Sequence, residues 1–200
     1  MADSDDFEKS TARQPARPRK RWPVLSLRDV RLYSGLILFA FVSSHLVNHA
    51  LGLVSLQALA AGREFFLALW RNPVGVVLLN GALMVHVALA FHAIYRRRTL
   101  RMSAGEAMQI VLGFAAPPLL VIHMLGTGYA ATNFGIDDTY ERVVLILWTD
   151  AASGVMKQIT ATLIVWVHGC IGVYYWARLK PWFVRARPVL HGVGRPDDVA

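Results

Sequence analysis

The stretch RLYSGLILFAFVSSHLVNHALGL, residues 31–53, decides the fold: it is long and apolar enough to cross a bilayer, yet it carries two histidines, His45 and His49, at membrane depth. A spanning helix needs about 20 largely apolar residues. Three further stretches meet that need, so the chain reads as all-α, a polytopic membrane protein with four transmembrane helices over about 32–56, 74–95, 106–128 and 155–177. The runs FFLALW (65–70) and VVLILW (143–148) are too short to cross and are expected as interfacial turns at the bilayer edge. No internal repeat is apparent.

Charge orients this bundle. Residues 1–31 hold eight Lys/Arg, the loop RRRTLR (96–101) four and the tail after the fourth span five, whereas the opposite loops and span mouth hold Arg63, Arg71, Arg142 and Lys157. Basic residues are retained on the cytoplasmic side, so both termini are expected there, in a bacterial inner membrane. The net charge of +8 then follows from topology and anionic lipid, and no nucleic-acid partner is implied, since no basic, aromatic-interleaved globular module is present. Residues 1–23 are polar and do not form a secretory signal peptide; residues 1–30 read as a basic, disordered cytoplasmic leader and 181–200 as a cytoplasmic tail or linker. A single cysteine, Cys170, excludes a disulfide framework or a thiolate cluster within one chain. The acidic patch Asp137, Asp138 and Glu141 reads as a solvated outer loop.

Six of the seven histidines fall within spans: His45 and His49 in the first, His86 and His92 in the second, His123 in the third and His168 in the fourth. Polar side chains at membrane depth are costly, so a set distributed over every span asks for a functional reason. At about 1.5 Å rise per residue, His86 and His168 each sit roughly 15 Å from the cytoplasmic edge, while His49 and His123 lie about 27 Å and 26 Å up. Matched depth on facing helices is what bis-histidine haem b requires, one imidazole on each side of the iron. Two haems are therefore expected, one held by the first and third helices and one by the second and fourth. His45 and His49 share a helix face, so only one can ligate a given iron from that side; depth favours His49 and leaves His45 a candidate. His92 lies about 120° round from His86 and reads as an interfacial or packing histidine, and His191 falls in the tail. Zinc fits less well, because a catalytic zinc wants three ligands at one depth. No span has an Asp or Glu in its middle, which counts against a proton-driven transporter.

The run 31–53, with FLALWRNPVG (66–75), YRRRTLRMSAGEA (95–107), PPLLVIHMLGT (117–127), the acidic loop leading into YERVVLILW (140–148) and WVHGCIGVYYWARLKPW (166–182), resembles the haem-b membrane anchor of bacterial class III adenylate cyclases. Those anchors are similar to the di-haem cytochrome b subunits of succinate dehydrogenase and fumarate reductase. The resemblance covers about residues 28 to 185 and implies a di-haem anchor responsive to the redox state of the quinone pool, with axial residues His49 or His45, His86, His123 and His168. It also makes Arg31 and Ser34 weak quinone candidates, against plainer roles as an interface anchor and a helix hydroxyl bonded to its own backbone.

Such an anchor has six spans before a cyclase domain, whereas this sequence carries four and none of the paired metal-binding aspartates that nucleotide cyclisation needs. No enzymatic activity of its own is therefore expected. The chain reads as a stand-alone haem protein or as part of a longer cyclase, with a cyclase domain, further membrane helices or a second copy in a homodimer as candidate protein partners. The alternative function is an electron-transfer subunit exchanging electrons with quinone.

Overall fold

A computed structural model describes residues 25–99, 101–136, 139–149 and 151–190, the side chains of 151–153 and 187–190 excepted. The leader over 1–24, Asp137, Asp138, and the tail from His191 onward lie outside the described residues. Eight α-helices are present among those described: α1 (Leu27–Ala50), α2 (Leu56–Trp70), α3 (Pro73–Tyr95), α4 (Ala104–Met124), α5 (Ala130–Phe134), α6 (Tyr140–Thr149), α7 (Ala151–Ala177) and α8 (Pro181–Leu190). Four helical stretches are long and apolar enough to cross a membrane: Leu27–Leu53, Pro73–Tyr95, Ala104–Phe134 and Gly154–Ala177.

Local chemistry explains where these helices begin. Ser26 caps α1 and exchanges hydrogen bonds with Asp29, and Ser103 and Glu106 repeat the arrangement on α4, so each helix satisfies two orphan backbone N–H groups. Asn72 caps α3 through its Oδ1, 2.9 Å from the Gly75 nitrogen, and Pro73 follows at the first helical position, where no N–H is missed. Within α4, Pro117 and Pro118 withdraw the N–H groups that would bond the carbonyls of Gly113 and Phe114. The helix carries on through a π-helical turn, Leu125–Tyr129, and ends after α5 at Gly135, whose φ of 62° is the left-handed geometry that glycine adopts freely.

The two short apolar runs are helices rather than turns. Residues 65–70 close the 15-residue α2 and 143–148 lie in the 10-residue α6. At about 1.5 Å per residue these reach roughly 22 and 15 Å, short of a span. Ser55 caps α2, and its Gly62 sits against Asn48 and Leu51, so a hexapeptide window missed a helix whose apolar start at Leu56 is contiguous with it. The tail likewise begins with α8 rather than as plain linker.

Helix α1 packs on α3 and α4 on α7; the two pairs meet through α1 and α7. Arg97 reaches Glu106 at 3.7 Å, and Gly105 lies under the Tyr175 hydroxyl. The start of α1, the end of α3, the start of α4 and the end of α7 thus share one end of the bundle, called here the terminal end. Between the pairs the packing stays open. No large side chain is fully buried among the described residues, and the buried apolar positions are Leu59, Ala82, Ala116 and Ala177. A cavity of about 1650 Å³ runs along the interior, larger than the roughly 300–1,000 Å³ of a typical small-molecule pocket.

Candidate cofactor site

Two pairs of imidazoles face each other across this cavity at two levels. Nearer the terminal end, the rings of His86 on α3 and His168 on α7 have centres 6.3 Å apart and planes at 86°. Toward the other end, His45 on α1 and His123 on α4 stand 6.0 Å apart with planes at 68°. All four line the cavity.

The inner pair is held by the helices on which it rests. His86 Nδ1 lies 3.1 Å from the Arg31 carbonyl oxygen and His168 Nδ1 lies 3.1 Å from that of Gln109. A carbonyl only accepts, so in each neutral ring Nδ1 carries the proton and Nε2 keeps the lone pair that a metal binds. Each ring also lies close against a glycine. A Cβ at Gly35 would meet His86 Cε1 at 2.8 Å, and one at Gly113 would meet His168 Cε1 at 2.9 Å. Any larger residue at either place displaces the imidazole.

The outer pair is supported differently. His45 lies among aromatic rings, stacked on Phe41 at 5.8 Å and beside Phe66 at 5.2 Å. Phe41 in turn meets Trp70 edge-on at 5.3 Å, and the Trp70 indole N–H donates to Ser44 Oγ at 3.1 Å, which ties α2 down over this level. Ser44 Oγ itself donates to the Phe41 carbonyl at 2.9 Å. His45 Nδ1 is buried without a partner among the described residues, while its Nε2 lies 3.2 Å from His49 Nε2. His123 has the Gln158 side chain within hydrogen-bonding reach.

The donor set fits a bis-imidazole metal. With a metal–nitrogen bond of about 2.0–2.1 Å and roughly 1.1 Å from nitrogen to ring centre, two imidazoles on opposite sides of one ion stand about 6.2–6.4 Å apart. Both pairs lie at or close to that spacing. Among the described residues no group of three or more His, Cys, Asp or Glu converges as a metal site. Haem needs only two protein ligands, the macrocycle supplying the other four.

Other candidates fall elsewhere. Depth reckoning favoured His49, but the ring opposite His123 is His45, with His49 one turn beyond and touching it. His92 does not line the main cavity. Ser34 is buried and donates its hydroxyl proton to the Arg31 carbonyl at 3.0 Å, and Arg31 is half-buried at the terminal end. The carbonyls of Arg31 and Gln109 and the glycines Gly35 and Gly113 were not anticipated as parts of the site. Their signal is a shared spacing: Arg31, Gly35 and His45 stand in the same register as Gln109, Gly113 and His123.

The four long apolar helices are those of a multi-pass membrane protein. No protein-family model, curated protein or solved structure matches the chain.

Proposed function

We propose that the chain is a di-haem b membrane protein in which His86 and His168 hold one haem and His45 and His123 the other, acting as a redox- or quinone-responsive sensory anchor of an adenylate cyclase system. The single observation that carries the cofactor reading is the inner pair: two rings 6.3 Å apart whose Nδ1 atoms are both committed to carbonyls, leaving both Nε2 lone pairs for one metal. The sensory role rests on the resemblance of the motifs to cyclase anchors. When bound, haem supplies reversible one-electron chemistry at each level. The protein's part is to orient and exclude. Gly35 and Gly113 leave room for the inner rings, the two carbonyls set their tautomer, and the aromatic cluster of Phe41, Phe66 and Trp70 shuts water from the outer level. A change of charge at the inner level acts on α1 and α4 through the Arg31 and Gln109 carbonyls, close to the end that a cytoplasmic partner reads. The excess of Lys/Arg in the segments 1–31, 96–101 and 178–195 supports a cytoplasmic location for both termini in a bacterial cell.

The alternative, an electron-transfer subunit exchanging electrons with quinone, is favoured by one feature. Phe39 and Trp166 stack at 5.4 Å with planes at 23°, and Phe39 lies against Gly169, the residue after His168, so an aromatic pair adjoins the inner level.

The test is the optical spectrum of the purified protein, oxidised and reduced, with haem counted per chain. Two haems per chain with bis-histidine spectra are expected, and a folded, colourless preparation overturns both readings. Rapid oxidation of the reduced protein by a water-soluble quinone at catalytic turnover, with no cyclase partner, selects electron transfer over sensing.

A further inference from the structure

His92 is a membrane-depth histidine that belongs to neither imidazole pair and, unlike His49, touches neither of them. It lines a pocket of about 140 Å³ at the terminal end, between α1 and α3, together with Leu27, Arg28, Arg31, Leu89 and Ala93; Arg28, Arg31 and Ala93 border the main cavity as well. Arg28 and Arg31 are three apart and so project from one side of α1, while His92 comes from the facing helix. Two guanidinium groups and an imidazole meet there, and no lining residue is acidic. The nearest carboxylate in sequence, Asp29, is committed to the cap with Ser26. Among the described residues no side chain forms an ion pair or hydrogen bond with either guanidinium. Arg28 and His92 are exposed, and Arg31 is half-buried. Guanidinium groups clustered at the edge of a span attract an anionic partner.

Size and surroundings select the partner. The room is well below the roughly 300 Å³ of small-molecule pockets, so it takes a headgroup and not a whole cofactor. Guanidinium forks match phosphate oxygens bidentately, and Leu27, Leu89 and Ala93 offer an apolar wall to what is attached. We propose that Arg28, Arg31 and His92 hold the phosphate of an anionic membrane lipid, with its acyl chains lying along the α1–α3 face. The site stands independently of the haem reading, since it needs no cofactor. It also touches the inner level, because the residue whose side chain meets the lipid is the one whose carbonyl receives His86 Nδ1.

The experiment is native mass spectrometry of the full chain in detergent, titrated with phosphatidylglycerol or phosphatidylcholine. Phosphatidylglycerol is expected to stay bound preferentially. Arg28→Gln and Arg31→Gln should each weaken its retention about fivefold, and His92→Ala should weaken it as well, although that residue is outside the main cavity. Leu89→Trp fills the cavity with every charge kept and should also abolish the preference, which covers the case of an arginine variant that fails to fold. Equal retention of both lipids, or a preference unchanged in Arg28→Gln and Leu89→Trp, overturns the proposal. So does displacement of the lipid by excess inorganic phosphate, which would assign the site to a soluble anion.

Discussion

The imidazoles of His45 and His123 face each other with ring centres 6.0 Å apart, and they occupy the same register in their two helices. His45 lies ten residues after Gly35 and fourteen after Arg31; His123 lies ten after Gly113 and fourteen after Gln109. The second helix of each pair brings its own histidine back onto that glycine and that carbonyl. The α1–α3 pair and the α4–α7 pair therefore repeat one arrangement, each giving one imidazole to each level.

This register separates His45 from His49. The position matching His49 is Thr127, in the π-helical turn that follows α4; its hydroxyl donates to the His123 carbonyl at 2.8 Å and has no nitrogen to offer a metal. His45→Ala is accordingly expected to remove one of two haem components, while His49→Ala keeps both and shifts only the outer one, as read by haem count and redox titration. Loss of a haem in His49→Ala with retention in His45→Ala would reverse the assignment.

On the proposed reading His86 and His168 share one metal at the inner level, so their removal is expected not to be additive. His86→Ala, His168→Ala and the double variant should all lose the same component and leave the other in place. Different components lost in the two single variants would show that the rings do not share an iron.

Much of this was readable in the chain because membrane spans announce themselves by length, and because turning about 1.5 Å per residue into depth put His86 level with His168. The same reckoning favours His49 over His45 without excluding His45. They are one turn apart, about the error in a span boundary, and α1 begins at Leu27, ahead of the apolar run, because Ser26 and Asp29 cap it there. The repeat escaped notice for a different reason. It resides in backbone carbonyls and in glycines chosen for room, at a spacing that few identical side chains mark. Helix α2 was missed because its polar residues Gln57, Arg63 and Glu64 interrupt the apolar count without interrupting the helix.

The glycines give the site its tightest tolerance. With a Cβ 2.8 Å from His86 Cε1, Gly35→Val forces the ring or α3 to move, and Gly113→Val does the same to His168. Overpacking of this kind costs about 1–3 kcal/mol. Each variant should lower occupancy of the inner haem or change its spectrum while the outer component stays. Gly81→Val, at a place where a Cβ meets nothing within 4 Å, is the matched control and should leave both components unchanged.

Trp70 tests whether α2 serves the outer level or merely connects two spans. Its indole N–H donates to Ser44 Oγ, and its ring meets Phe41, which stacks on His45. Trp70→Phe removes the hydrogen bond and keeps an aromatic ring, at a cost of about 0.5–1.5 kcal/mol, and should lower the melting temperature in detergent with both haems retained. Trp70→Ala removes the ring as well and opens the cavity beside Phe41. The outer component should then become solvent-accessible, shown by faster reduction with a hydrophilic reductant, while the inner component reduces at its original rate. Equal acceleration at both levels would mean that α2 holds the bundle as a whole, because a lid over one level cannot speed access to the other.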